Sequence, residues 1–161
     1  MSQQSKAFHS VIFTKNGTSK NSWDNFHLIP TARPDIPLPQ RSFKYVDVPG
    51  RNGSIDLSNY LTGGAYYADR SGSFEFVVVQ EYGGKIVDSR SWIERKRELA
   101  NFFDGSEMQV KLEDDSGYYY IGRVTFDANG WQTGDAYSSA NITYRFKPFK
   151  YNASTGQEAG I

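Results

Sequence analysis

Uninterrupted alternation of apolar and polar side chains from Ala140 to Lys147 is the feature that most constrains the fold. Successive side chains of a β-strand point to opposite faces, so this run predicts a strand with one buried and one wet face. A second alternating run, Met108 to Glu113, and the mostly apolar run Ser73 to Gln80, a central strand of a covered sheet, predict two more. Together they predict a mainly β protein, an antiparallel β-sandwich.

Turn residues divide these runs into hairpins. Asp114 to Gly117 separates two strands and predicts an extended β-hairpin over about 108–126. Asn16-Gly17 predicts a second hairpin near the start, whose return strand would carry Trp23, Phe26 and Leu28. Four prolines between Pro30 and Arg41 remove backbone donors, so that stretch is predicted to be an extended connector.

One α-helix is predicted, over about 91–103. Ser91 and Glu94 have the spacing of a capping box, and Gly105 lies where a left-handed C-terminal cap is expected. The predicted buried stripe consists of apolar residues, Trp92, Ile93, Leu99, Ala100 and Phe103. The predicted exposed face carries the charges, Glu94, Arg95, Arg97 and Glu98.

Composition narrows the class of protein. A length of 161 residues suits one domain, which we expect over residues 1–151, followed by a flexible tail over 152–161. The chain has no Cys, which excludes disulfides and thiolate sites. Equal counts of 18 basic and 18 acidic residues create no field that would attract nucleic acid or a membrane. No apolar run is long enough to span a bilayer.

Catalytic chemistry is not indicated. The acidic run Glu113 to Asp115 lies at a predicted turn, where Asp is favoured because it bonds local backbone amides. His9 and His27 are the only histidines, and their spacing fits no metal site. Neither of the common glycine-rich phosphate-binding motifs occurs. We therefore predict no enzyme activity, no metal site and no cofactor.

The segment Phe43 to Leu57, FKYVDVPGRNGSIDL, joins two partly apolar runs through two turns. Pro49-Gly50 suits a type II turn, because proline presets φ and glycine accepts the positive φ that follows. Asn52-Gly53 offers a second tight turn. The pattern by itself indicates a strand, a double turn and another strand.

Within this segment, VDVPGRNGSIDLS resembles a signature of the distal tail protein family of long-tailed bacteriophages. DDSGYYYIGRV, from Asp114, and YRFKPFKY, from Tyr144, resemble the same family in the expected order. The resemblance is to the N-terminal, ring-forming domain of this tail-tip and baseplate protein. It also implies a β-sandwich. Many family members continue into a galectin-like domain, and we expect no such second domain here.

The resemblance implies a structural function. Six copies would form a homo-hexameric ring in the virion tail tip, joining the tail tube protein to the tail-associated hub protein. Six touching domains of this size would leave a hole roughly 40 Å across, wide enough for DNA to pass without specific binding. Assembly would occur in the bacterial host cytoplasm, and no membrane would be involved.

Two segments are the predicted partner contacts, the turn over 48–53 and the hairpin around 114–119. Their residues are Val48, Pro49, Gly50, Arg51, Asn52, Gly53, Asp114, Asp115, Tyr118 and Tyr119. Arg51 and Arg70 could pair with a neighbour's carboxylate, although solvated surface charges are the favoured interpretation.

A carbohydrate-binding β-sandwich, acting in adsorption to the host surface, is the alternative function. Aromatic side chains stack on sugar rings, and this chain is rich in them. The candidates are Tyr66, Tyr67, Tyr118, Tyr119, Trp131 and Tyr137.

Overall fold

The structure, a computed structural model, describes residues 7–58, 66–132 and 136–161. In this part of the chain the elements are predominantly strands. They are β1 (Val11–Lys15), β2 (Thr18–Asn21), β3 (Leu28–Pro30), β4 (Tyr45–Asp47), β5 (Ser54–Asp56), β6 (Arg70–Val79), β7 (Glu81–Tyr82), β8 (Lys85–Ile86), helix α1 (Trp92–Phe102), β9 (Asp104–Leu112), a single 3-10 turn (Glu113–Asp115), β10 (Tyr118–Asp127), β11 (Tyr137–Phe146), β12 (Lys150–Asn152) and β13 (Glu158–Gly160).

The main sheet is antiparallel and runs in the order β2-β1-β9-β10-β11-β6-β3. At the start of β10 the sheet is extended by β12, which in turn pairs with β13. A mainly β, antiparallel fold with one α-helix in the described residues is thus confirmed, and the predicted hairpin over 108–126 corresponds to β9 and β10. No helix in these ranges is long and apolar enough to cross a membrane.

The core lies on one face of the curled sheet, as the alternation in β11 predicts. Ala140, Ile142 and Phe146 are fully buried, whereas Thr143 and Arg145 between them are exposed. Side chains from six other elements, β1, β3, β6, α1, β9 and β10, complete the core, among them Val11, Phe13, Leu28, Phe76, Val78, Leu99, Val110 and Val124. Burial of such apolar side chains is the main stabilising contribution.

Gly122 allows the central strands to approach each other. A Cβ atom at this position would lie 2.0 Å from the carbonyl oxygen of Arg145, on the paired strand β11. That distance is far inside van der Waals contact, so any larger residue would push β10 away from β11.

Helix α1 begins as predicted but presents a different face. The Ser91 Oγ accepts a hydrogen bond from the Glu94 amide (3.3 Å), which confirms the N-terminal cap. Arg95, predicted to be exposed, is buried with Leu99, whereas Ile93 is 59% exposed. The predicted buried stripe is confirmed at Trp92, Leu99 and Phe103 and wrong at Ile93 and Ala100, which are exposed.

The prediction for Gly105 was wrong. Phe103 caps the helix C-terminus, and its amide donates to the Leu99 carbonyl. Gly105 instead lies in β9 with φ +89°, beside the irregularity where β9 and β10 change register. Its positive φ accommodates the local distortion of the strand, and glycine commonly occupies such positions in β-bulges.

Two terminal segments differ from the sequence predictions. Asn16-Gly17 forms the predicted turn, but the return strand is β2, and Trp23 and Phe26 lie in the loop that follows it. Leu28 belongs to β3, at the opposite edge of the sheet. Near the C-terminus, the sequence predicts a flexible tail over 152–161, whereas the structure has strand β13 there.

Candidate assembly interface

A hairpin arm, residues 43–58, carries several exposed large apolar side chains, Phe43, Tyr45, Val46 and Val48. Its strands β4 and β5 pair with each other and with no other described strand. The Arg51 amide donates to the Val48 carbonyl (3.1 Å), and Gly50 has φ +79°, as the predicted Pro49-Gly50 turn requires. Gly53 also has positive φ, so the predicted contact residues 48–53 form the tip of the arm.

One face of the arm, here called the aromatic face, carries Phe43, Tyr45, Asp47, Ser54 and Asp56. The Phe43 and Tyr45 rings are stacked, with centroids 6.2 Å apart, and are 58% and 59% exposed. The opposite face, with Val46 and Val48, is better covered, since these two are 37% and 38% exposed. A partner that covered the aromatic face would therefore remove more exposed apolar surface from water than one that covered the opposite face of the arm.

The two carboxylates of the aromatic face accept hydrogen bonds from hydroxyl and amide groups, and the positive charge of Arg41 also acts on Asp56. Asp47 accepts a hydrogen bond from the Ser54 hydroxyl, and Asp56 accepts from the Ser58 hydroxyl and amide. The hydrogen bonds from Ser58 lower the pKa of Asp56. Both groups therefore present negative charge beside the exposed rings.

Two backbone hydrogen bonds between described residues connect the base of the arm to residues 66–68. The Ser42 amide donates to the Tyr66 carbonyl (2.7 Å), and the Ala68 amide donates to the Gln40 carbonyl (2.8 Å). A two-stranded hairpin without further packing is marginally stable in water. An arm anchored in this way is suited to becoming ordered against another molecule.

The backbone edges of the arm are open. The Leu57 amide donates to the Lys44 carbonyl, so Lys44 and Leu57 form a hydrogen-bonded pair. Hydrogen-bonded and non-hydrogen-bonded pairs alternate along an antiparallel hairpin. By that alternation, the amides and carbonyls of Tyr45, Asp47, Ser54 and Asp56 point away from the hairpin. The arm can therefore accept a further strand on either side.

The edges of the main sheet are less available. At β3, the Leu28 amide is taken by the Ser22 carbonyl, and Pro30 has no amide to offer. At β2, the residues whose backbone groups point outward are Ser19 and Asn21. The Asn21 amide and carbonyl are both hydrogen-bonded to Asn25, so only the outward backbone groups of Ser19 stay free within the described chain. Short edges blocked in this way resist strand addition.

The second predicted contact segment, around 114–119, is engaged within the chain. Asp114 pairs with Arg33 (2.7 Å), and the Lys150 ammonium lies 3.9 Å from Asp115 and 4.1 Å from the Tyr118 ring centroid. Tyr119 stacks on Tyr151 at 5.6 Å. These contacts hold the turn against the C-terminal strands, and its role as a partner contact stays a prediction.

A groove of about 600 Å³ lies between the β1–β2 hairpin and helix α1. Lys15, Thr18 and Lys20 line one wall, and Glu94, Arg97 and Phe102 line the other. The Lys20 ammonium lies over the rings of Phe26 (5.4 Å) and Phe102 (5.0 Å), a cation–π arrangement. Sequence reasoning missed this groove, because its walls are distant in the chain.

Two cations of the groove lack a carboxylate partner. Lys15 pairs with Asp104 (3.1 Å), and Glu98 pairs with Arg90. Lys20 and Arg97, by contrast, form no ion pair with any described residue. The groove therefore combines an aromatic floor with two cations that form no ion pair among the described residues, and the carboxylate of Glu94 lies on the same wall as Arg97.

Buried arginines were also missed. Arg70, predicted as a solvated charge, is 2% exposed, and its guanidinium donates to the carbonyls of Pro148 (2.9 Å) and Pro37 (3.3 Å). Burial lowers its pKa. This makes the interpretation of Arg70 as a surface charge wrong, and its contacts connect the proline-rich connector to the end of β11.

The proposed sugar-binding aromatics do not form one platform. Tyr67 packs on Phe149, Tyr119 on Tyr151, and Trp131 on Trp92 and Phe126. Tyr66 and Tyr137 are well exposed, at 57% and 63%, but no two of the six candidates are in ring contact. A shared binding surface made of these side chains is not indicated.

The acidic run predicted as a turn is a turn. Glu113 to Asp115 form the 3-10 turn between β9 and β10. Asp114 and Asp115 pair with Arg33 and Lys150, and Glu113 accepts a hydrogen bond from the Ser10 amide (2.7 Å). In the described residues, no group of three or more acidic or histidine side chains is placed to hold a metal ion.

Comparison with known proteins identifies a similar fold. No protein-family model and no curated protein matches this chain. The chain is similar to a solved structure described as the SPP1 Dit (gp 19.1) protein, a paradigm of hub adsorption apparatus in phages that infect Gram-positive hosts, with a TM-score of 0.55 at 13% identity. The match covers 88% of this chain and 52% of that one. The chain therefore has a phage distal tail-like fold and spans about half the length of the matched protein.

Proposed function

We propose that this chain is a structural component of a phage tail tip, where six copies form a ring that connects the tail tube to the tail-tip hub and lets DNA pass. Its partners are further copies of itself, the tail tube protein and the tail-associated hub protein. It acts in the virion and is assembled in the bacterial host cytoplasm. It binds by shape and performs no catalysis.

The observation that carries the proposal is the arm. An exposed pair of stacked aromatic rings on a hairpin that pairs with no other described strand is unfavourable for a monomer. The same hairpin contains the sequence signature VDVPGRNGSIDLS, and its tip comprises the predicted contacts 48–53. A heterologous contact between copies, repeated around an axis, covers every arm and closes into a ring.

The similar fold of the SPP1 Dit protein adds support, because that protein is described as part of a hub adsorption apparatus. The equal numbers of basic and acidic residues also suit a conduit, since a strongly basic lining would retain phosphates. Carbohydrate binding gains no comparable support, because its candidate aromatics are dispersed.

The test is the mass and symmetry of the assembled particle. Purified chain, alone and mixed with the tail tube protein, would be measured by multi-angle light scattering and imaged by negative-stain electron microscopy. Six-fold rings with a central hole are expected. A stable monomer under both conditions would contradict the proposal.

A further inference from the structure

We propose that the aromatic face of the arm binds in the groove beside helix α1 of a second copy of this chain. The inference rests on the proposed function, because it names the two surfaces that would form each contact in the ring. One copy supplies an arm and the next copy supplies a groove, so the contact is heterologous and can be repeated around an axis.

The chemical character of the two surfaces is complementary. The aromatic face offers the rings of Phe43 and Tyr45 with the carboxylates of Asp47 and Asp56 beside them. The groove offers the cations of Lys20 and Arg97, which form no ion pair with any described residue. Cations over aromatic rings and opposite charges at an interface attract each other and fix the register of docking.

The floor of the groove also suits an aromatic guest. Phe102 lines the groove, and the Lys20 ammonium lies over its ring, 5.0 Å from the centroid. A volume of about 600 Å³ falls within the range typical of binding pockets, roughly 300 to 1,000 Å³. Two aromatic side chains entering it would remove their exposed surface from water.

The contact must be made between copies. Within one chain, the aromatic face and the groove share no ring contact, ion pair or hydrogen bond among the described residues. Phe43 and Tyr45 contact each other, and Arg41 lies 5.4 Å from the Phe43 ring. Among the described residues, none of the same chain joins the aromatic face to the groove.

Cysteine crosslinking tests the contact directly, because the natural chain has no Cys. Ser54→Cys lies on the aromatic face, and Asn101→Cys lines the groove. The two single variants would be mixed and treated with a short bismaleimide, and covalent dimers would be counted on a denaturing gel. Because each chain carries one thiol, every dimer joins two copies.

The matched control replaces the groove position by Thr143→Cys, which is exposed on the polar face of β11. The Ser54→Cys and Asn101→Cys mixture is expected to give at least about 10-fold more dimer than the control mixture, because docking raises the effective concentration of the paired thiols. Equal yields from the two mixtures, including no dimer in either, would overturn the inference.

Charge reversal provides a second measurement. Asp47→Lys and Arg97→Glu should each weaken self-association by about 3- to 10-fold, and combining them in one chain should restore part of the loss, as a double-mutant cycle requires of groups in contact. Additive losses would count against the contact. Circular dichroism of each variant would verify that the exposed substitutions leave the fold intact.

The outcomes separate this inference from the proposed function. Six-fold rings without the specific crosslink would leave the ring proposal standing and overturn the arm-to-groove contact. A specific crosslink in assemblies of another size would support the contact and contradict the hexamer. A monomer that fails to crosslink would overturn this inference, and the mixture with the tail tube protein would then decide the function.

Discussion

The Nε atom of Arg95 and the Oδ2 atom of Asp88 lie 3.2 Å apart, with 3% and 4% of their side chains exposed. The same carboxylate contacts Arg90 (2.7 Å) and the Nδ1 of His27 (3.1 Å). The Arg95 Nη2 atom donates to the carbonyls of Phe26 (3.3 Å) and Val79 (3.0 Å). The Asp88–Arg95 pair thus joins the helix to the loop before β3, and the Arg95 guanidinium extends the connection to the end of β6.

Removing the charge of Asp88 should destabilise the fold. In Asp88→Asn, the buried guanidinium of Arg95 and the guanidinium of Arg90 lose their shared counter-ion, and breaking such a buried pair costs about 3–5 kcal/mol. Urea unfolding followed by tryptophan fluorescence would measure the change in the free energy of unfolding. Asp24→Asn, at an exposed position, is the control and should change it by less than about 0.5 kcal/mol.

The stability of the fold should fall in acid over a defined window. Burial would raise the pKa of Asp88, but hydrogen bonds from Arg90 outweigh this effect, so its pKa lies well below the ordinary value. Hydrogen bonds from Ser106 and Lys15 lower the pKa of Asp104 to about 2. A depressed folded-state pKa means that the stabilisation is complete above the unfolded pKa, about 4, and is lost as pH falls below it.

Urea unfolding between about pH 5 and pH 2 would test this window. The free energy of unfolding of the natural chain should decrease as pH falls, and Asp88→Asn should show a shallower decrease because one of the responsible carboxylates is gone. Parallel curves for the two proteins would show that Asp88 does not contribute to the acid response.

Gly122→Ala should destabilise the centre of the sheet. The new methyl group would overlap the Arg145 carbonyl, and relieving that overlap requires β10 and β11 to separate, at a cost of about 1–3 kcal/mol or more. Thermal unfolding by circular dichroism would measure the effect. Gly117→Ala is the matched control, because its Cβ would meet no atom within 4 Å.

Replacing the aromatic pair of the arm should separate assembly from folding. In the double variant Phe43→Ser and Tyr45→Ser, the monomer loses little because both rings are exposed, whereas self-association should weaken about 10-fold or more. Sedimentation velocity over a concentration series would measure the association. Ile86→Ser, which removes a side chain that is 65% exposed on the β7–β8 hairpin, should leave it unchanged.

Local patterns predicted much of this fold from the sequence. The alternation in Ala140 to Lys147 specifies which face of β11 is buried, because a strand has a strict period of two. Asn16-Gly17 and Pro49-Gly50 predicted turns because positive φ is expensive for most other residues. Such features depend on a few neighbouring residues and are therefore readable without the tertiary structure.

Long-range features were not readable in the same way. Arg70 and Arg95 were placed at the surface because charged residues are rarely buried, and the carbonyls and carboxylate that hold them come from distant segments. The placement of β3 at the far edge of the sheet, and the groove beside helix α1, likewise depend on tertiary contacts. The motif predicted that the tip of the arm is a partner contact. Its open backbone edges, by contrast, could be identified only from the register of β4 and β5 in the structure.

The order of strands has a consequence for synthesis of the chain. The first 30 residues supply strands at both edges of the sheet, and β11, which lies between β10 and β6, connects the two halves. On a ribosome, β1, β2, β9 and β10 can pair before β11 emerges, while β3 and β6 form a separate ribbon. The hydrogen bonding of the main sheet therefore cannot be completed until β11, which ends at residue 146, has left the exit tunnel, and a truncation that removes β11 would leave two unpaired strand edges for the cell's chaperones to handle.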